Sequence, residues 1–212
     1  MPYPVYTHAR RDQPKIALTF DDGPNPPHTE EVLAILASRH VRASFFVLGQ
    51  WVERFPGTLN QIVQAGHVVG NHTHSHTADA DYDRAEPIIA NLTGQPSQFL
   101  RAPSLGFQYC PKSPLAMSPA MKLVSVDVMP SDWQPSTPDQ LLLRILEDPR
   151  LSNGSIILLH DGSHLDADRL TRPRVMIQIL PTLIDTLRLR GYTLAGLDDL
   201  DLADPEMWPD LC

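Results

Sequence analysis

Residues 15–24 read KIALTFDDGP, and residues 155–161 read SIILLHD. Each is a short apolar, partly β-branched run that stops on carboxylate or imidazole side chains. Five more such runs occur, at 43–48 (ASFFVL), 67–70 (HVVG), 98–101 (QFLR), 122–128 (KLVSVDV) and 192–197 (YTLAGL). Runs of this length without alternation fit strands of a parallel sheet buried on both faces. Between them lie helical patterns at 29–39, 58–65, 85–92, 138–147 and 174–190. Thr29 is expected to cap the first, and Gly66 and Gly191 to end the second and the last. Pro87 fits only a first turn, and Pro181 should kink or divide the last helix. Strand–helix alternation repeated about seven times predicts an α/β fold, and a barrel or an open sheet would both satisfy it. In either case ligands gather at the C-terminal strand ends. There the unusual polar residues sit: Asp21-Asp22, Asn71-His72, Arg101, Asp127 and His160-Asp161.

Composition narrows the classes. The chain has 212 residues, 42% apolar and 20% charged, which excludes a wholly disordered protein and allows a substantial core. Its 21 prolines, about twice the usual ~5%, imply many ordered loops. A net charge of −8 and the lack of any basic run argue against a nucleic-acid partner. No stretch of about 18 apolar residues predicts a membrane span. Residues 1–14, MPYPVYTHARRDQP, contain no apolar core segment, so no signal peptide is expected. They are read as a loose N-terminal arm before a single domain at 15–212, in a protein that is cytoplasmic or has lost a leader. Two cysteines, Cys110 and Cys212, allow one disulfide or two free thiols.

Three of the nine histidines fall within five residues, His72-Thr73-His74-Ser75-His76. His72 and His76, spaced i, i+4, are expected on one side of a helical turn, close enough to share a metal, with His74 pointing elsewhere. Two adjacent carboxylates, Asp21 and Asp22, repel each other in a confined site unless a cation or a base role compensates. Gly23-Pro24 forces a turn that would aim both into a cleft. One carboxylate with two histidines leaves positions on a divalent metal open, a set suited to a Lewis acid with a bound water, and frees the other carboxylate to act as a base. Zinc, cobalt, manganese and iron all tolerate such ligands. His160 is either a satisfied core residue or an acid–base group across the cleft. Arg101, if buried, needs a carboxylate partner, and Asp21 or Asp22 qualifies. Asp132-Trp133 sits in a Pro/Ser-bounded loop.

The order TFDDGP, HTHSH, RAP, SDW, LLHD resembles the polysaccharide deacetylases of the NodB-homology group, carbohydrate esterase family 4, from about Lys15 to about Leu200. The resemblance implies a distorted (β/α) barrel of about seven parallel strands and a divalent metal, most often zinc. It implies removal of acetyl groups from N-acetylglucosamine polymers such as chitin oligomers or peptidoglycan, or from acetylated xylan. It makes Asp22, His72 and His76 the metal ligands, Asp21 the general base and Arg101 the residue that holds Asp21. His160 becomes the general acid and Asp132 the carboxylate that tunes it. Trp133 and Leu158 line the acetyl pocket, and the backbone N–H of Ser104 serves the oxyanion. By the same resemblance the partner is an acetylated glycan and the location extracellular or in the cell envelope, which the missing leader weighs against. Oligomeric state stays open.

The chain departs from the family pattern in three places. Ser104 replaces a tyrosine, the following glycine is displaced to Gly106, and Met129-Pro130 precedes the SDW segment. Two competing readings are a same-fold hydrolase of small amides and a carbohydrate-binding protein without turnover.

Overall fold

In the computed structural model, residues 3–77, 81–105, 120–203 and 205–208 are described. Cys110, Cys212 and Gly106 lie outside them. The elements are β1 (Tyr3–Tyr6), β2 (Lys15–Gly23), α1 (His28–Ser38), β3 (Ser44–Val47), α2 (Gly49–Arg54), α3 (Pro56–Gln64), β4 (Val68–Asn71), α4 (Tyr82–Thr93), β5 (Phe99–Leu100), β6 (Lys122–Val124), α5 (Pro138–Leu146), β7 (Ile156–His160), α6 (Arg174–Leu189), β8 (Thr193–Leu194) and β9 (Glu206–Trp208). The sheet order is β7-β2-β3-β4-β5-β6-β1-β9, with β8 beside β2. Every pairing is parallel except that of β1 with β9. A parallel bridge between Val128 and Ile157 returns the segment after β6 to β7. The sheet therefore curls into a distorted barrel, and each of the seven expected runs contributes a strand.

Strand β2 shows how the fold aims side chains. Ile16, Leu18 and Phe20 face outward into the main core, against Val32, Leu33 and Leu36 of α1 and the apolar face of α6. Ala17 faces the barrel interior with Phe46, Phe99, Val124 and Ile156. The period of two carries Thr19 and Asp21 to that interior side as well. Helices outside and apolar strands inside leave the C-terminal strand ends as the place for chemistry.

Several local expectations are corrected. The N-terminal arm is not loose: β1 pairs with β6 and β9, and Val5 packs with Tyr82, Leu100 and Leu123. Four residues, one of them Pro4, are too few for periodicity to reveal a strand. Thr29 is no cap; it lies inside α1, where its hydroxyl accepts from Asn25 N (2.7 Å) and donates to Asp161. Pro87 sits inside α4 beyond its first turn, because that helix begins at Tyr82. Pro181 does not divide α6. Seven buried apolar side chains from Met176 to Leu187 hold that helix together. At about 1.5–3 kcal/mol each they outweigh the ~3 kcal/mol of an interior proline. Among the described residues no helix is long and apolar enough to cross a membrane.

Candidate active site

At the C-terminal ends of β2, β4, β5 and β7 lies a cavity of about 420 Å³, lined by Asp21, Asp22, His72, His76, Trp133 and His160 among others. A second cavity, about 200 Å³, lies at the opposite strand ends against Arg42, His67 and Asp198. Arg42 there is committed to Asp198, Asp199 and the Gly66 carbonyl.

Adjacent residues of a regular strand point to opposite faces, yet Asp21 and Asp22 both face the cavity. The cause is an irregularity in β2: its register against β3 shifts between Asp21 and Gly23, and Asp22 takes φ 70°. A bulge of this kind re-aims a side chain. Gly23 and Gly162 permit it. A Cβ on Gly23 would lie 2.4 Å from the Asp161 carboxylate, and one on Gly162 would lie 2.3 Å from the Asp22 carbonyl oxygen. Asp161 thus lies beneath the site, bonded to Thr29, and burial raises its pKa to about 7.

His72 and His76 come together without a helical turn. Their loop bends through Thr73 (φ 76°) and His76 (φ 57°). Asn71 Oδ1 accepts from Thr73 N (2.8 Å), Thr73 Oγ1 from His76 N (3.0 Å), and Asp81 from the amides of His74 and Ser75. Asn71 therefore shapes the loop. His74 turns away to Glu53, 3.1 Å from its Nε2. His72 Nδ1 donates to the Arg101 carbonyl (2.9 Å); since a carbonyl only accepts, Nε2 keeps its lone pair. That Nε2 is 3.6 Å from Asp22 Oδ1, and His76 Nε2 is 3.7 Å from the same oxygen. Asp22 Oδ1 is buried and has no hydrogen-bond partner. A buried anionic oxygen without a donor, facing two imidazole nitrogens, fits a divalent cation. One ligand atom from each of the three residues falls within 4.8 Å of the others. Burial would raise the Asp22 pKa, but His164, His160, His76 and His72 hold it well below the usual carboxylate range. Burial, with help from His72 and His164, lowers His76 to about 4, so its ring is neutral and able to ligate at neutral pH.

Asp21 is handled differently. Arg101, fully buried, donates from Nη1 to Asp21 Oδ1 (2.7 Å) and to Thr19 Oγ1 (2.8 Å). The second oxygen, Oδ2, lies 3.6 Å from His72 Nε2. One oxygen of Asp21 is clamped, and the other is presented to the ligand cluster.

His160 stands in register with Asp21 on the neighbouring strand. Its Nδ1 is 2.7 Å from Asp132 Oδ1, and its backbone N donates to Asp132 Oδ2 (2.8 Å). Burial disfavours the imidazolium, but Asp132, seconded by Asp22 and Asp21, overcomes this and raises the pKa to about 9. Trp133 packs edge-on to the ring at 5.2 Å, and Leu158 and Met129 complete an apolar wall. Ser104 lines the same cavity with φ 55°.

Every residue the sequence reading assigned to the site borders this cavity or supports a residue that does. Asp127, noted only as a polar residue among the strand ends, lies away from the cavity: it accepts from Ile156 N and pairs with Arg11, so it ties the N-terminal segment to β7. Two cavity residues had not been singled out, His164 and Arg172. A signal for His164 existed, because His160 and His164 repeat the i, i+4 spacing of His72 and His76.

Comparison with known proteins adds four likenesses. A family model described as polysaccharide deacetylase matches residues 8–109. The chain is 31% identical over 205 residues to a chitooligosaccharide deacetylase of Rhizobium leguminosarum bv. trifolii, covering 91% of this chain and 94% of that protein. It superposes on the solved Bc1960 peptidoglycan N-acetylglucosamine deacetylase with a TM-score of 0.79 at 27% identity, covering 96% of each. It also superposes on a family 4 acetyl xylan esterase from Clostridium thermocellum, solved with a cobalt ion, with a TM-score of 0.71 at 28% identity, covering 87% of this chain and 88% of that one.

Proposed function

The chain belongs to the polysaccharide deacetylase family, and from that premise we propose that it hydrolyses the acetamide of N-acetylglucosamine units in an acetylated glycan, a chitin oligomer or peptidoglycan. The observation that carries this reading is the division of labour between adjacent carboxylates: Asp22 Oδ1 faces two imidazoles, while Asp21 is clamped on one oxygen and free on the other.

Asp22, His72 and His76 would hold a divalent cation, zinc in this proposal, which when bound supplies Lewis acidity to the acetyl carbonyl and to the attacking water. Asp21 Oδ2 takes the proton from water as its oxygen bonds to the carbonyl carbon. The backbone N–H of Ser104 donates to the developing oxyanion. Asp132 occupies Nδ1 of His160, so the proton delivered to the departing amine comes from Nε2. The C–N bond breaks, and acetic acid and a free amine leave; the proton held by Asp21 passes through solvent to His160, which restores both groups, and the acid ionises to acetate. Trp133 and Leu158 receive the acetyl methyl.

Acetate release from chitin oligomers, peptidoglycan and acetylxylan by the purified chain tests the proposal. Release from a chitin oligomer or peptidoglycan is expected, abolished by a strong chelator and restored by zinc. Binding of these glycans with no acetate from any of them after reloading would leave a carbohydrate-binding protein instead. Release from acetylxylan alone would make it an esterase.

The His160–Asp132 pair sets a pH dependence. The acid must be protonated, so kcat/KM should fall as pH rises through the His160 pKa of about 9. In Asp132→Asn the support of the carboxylate disappears while the burial of the ring remains. The folded-state pKa therefore drops, and the alkaline limb should move to lower pH. A limb that stays in place in that variant would remove His160 from the role of acid.

A further inference from the structure

One imidazole in the cavity has no part in the steps above. His164 follows β7, and its ring lies stacked on that of His76, centroids 4.2 Å apart and planes within 6° of parallel. Its Nδ1 is 3.6 Å from Asp22 Oδ2. That nitrogen is buried and has no hydrogen-bond partner. One side chain therefore meets two of the three residues assigned to the cation, by different means: a ring face against His76 and a polar atom toward Asp22.

The two oxygens of Asp22 are consequently divided. Oδ1 faces His72 and His76, and Oδ2 faces His164. An imidazole donates its lone pair in the plane of its ring, so two stacked parallel rings do not aim at one ion. His164 is thereby placed behind the ligands and not among them. Its segment is held from below: Trp51 Nε1 donates to the Ser163 carbonyl (3.0 Å), Leu165 N donates to Ser163 Oγ (3.2 Å), and Ser163 is fully buried.

We propose that His164 is a positioning residue for the cation site. With hydrogen on Nδ1 it steadies Asp22 through Oδ2, so that Oδ1 stays turned to His72 and His76, and its ring face fixes the plane of His76. Groups that orient metal ligands in this way typically govern affinity by about 10–100-fold. The inference rests on the cation-dependent reading above.

The test is zinc affinity of the full chain, stripped with a chelator and titrated in competition with a chromophoric chelator. His164→Ala should weaken zinc binding about 10–100-fold. His164→Asn, whose side-chain NH2 stands where the Nδ1 hydrogen stood, should recover most of that loss. Cobalt-loaded His164→Asn should keep the visible band intensity of the wild type, since the ligand set is unchanged. His164→Ala that is folded by circular dichroism and binds zinc like the wild type overturns the proposal. So does His164→Asn as weak as His164→Ala, and a changed cobalt spectrum would make His164 a ligand instead. A wild-type chain that takes up neither zinc nor cobalt sinks the cation-dependent reading itself, and this inference with it.

Discussion

Asp21→Asn is expected to lower acetate release by about 10²–10⁴-fold, the usual worth of a general base, while zinc affinity stays near that of the wild type. The two adjacent carboxylates differ in what surrounds them. Asp21 Oδ1 receives the Arg101 guanidinium at 2.7 Å, which fixes the plane of the carboxyl group. An asparagine keeps that plane and can still turn its oxygen to Arg101. It lacks a second oxygen able to take a proton at the position of Oδ2. Asp22→Asn is the contrasting variant, because the negative charge facing His72 and His76 is lost. It should release zinc, and its rate should fall for that reason. Acetate release at saturating zinc, measured beside chelator competition, separates the two. Full rate in Asp21→Asn removes Asp21 as base. Loss of zinc in Asp21→Asn comparable with that of Asp22→Asn would make it a ligand.

The sequence announced this site because strand ends are legible. Apolar runs of four to seven residues mark buried strands, and a carboxylate or imidazole at the end of such a run is costly without a partner. Asp21, Arg101 and His160 stood out on that ground, and the spacing of His72 and His76 added the ligand pair. What stayed hidden was backbone geometry. Among the described residues, five of the six non-glycine positions with positive φ are Asp22, Thr73, His76, Ser104 and Ser131, all in the site or beside it. Such conformations cost energy and are imposed by surroundings such as the Asn71 and Asp81 hydrogen bonds, so no local propensity reveals them. The turn expected from Gly23-Pro24 proved to be a bulge one residue earlier. The helical turn expected from the His72/His76 spacing proved to be a bent loop that reaches the same juxtaposition. His164 takes its meaning from Asp22 and His76, which only the curled sheet brings to it. Asp127 erred the other way. It ends an apolar run, but the chain there turns toward Arg11 and away from the cavity.

Arg101→Met should be the most damaging single substitution for stability. The guanidinium is fully buried beneath the site, with Asp21 and Thr19 on Nη1 and the Val124 and Ser125 carbonyls at 3.3 Å from Nε and Nη2. It also lies 3.9 Å over the Phe46 ring. Burial pulls its pKa below the ordinary arginine value and Asp21 opposes that pull, yet arginine remains charged at any working pH. Methionine fills much of the volume but leaves the Asp21 carboxylate without its counter-charge, and breaking a buried pair this way costs about 3–5 kcal/mol. For a chain of this size that is a fall in Tm on the order of 10 °C. The cost is mostly that of a stranded charge, so it should be partly reversible. Arg101→Met combined with Asp21→Asn, in the zinc-free chain, should lose less than the sum of the two single variants by at least ~1 kcal/mol, well outside the additivity of independent sites. Denaturant unfolding of the four proteins measures that difference. Strict additivity would mean that Arg101 is held by its carbonyl and Phe46 contacts and does not clamp Asp21. The double variant, with the stranded charge removed yet still without a base, should release no more acetate than Asp21→Asn, which separates the part of Arg101 in holding the fold from its part in orienting the proton acceptor.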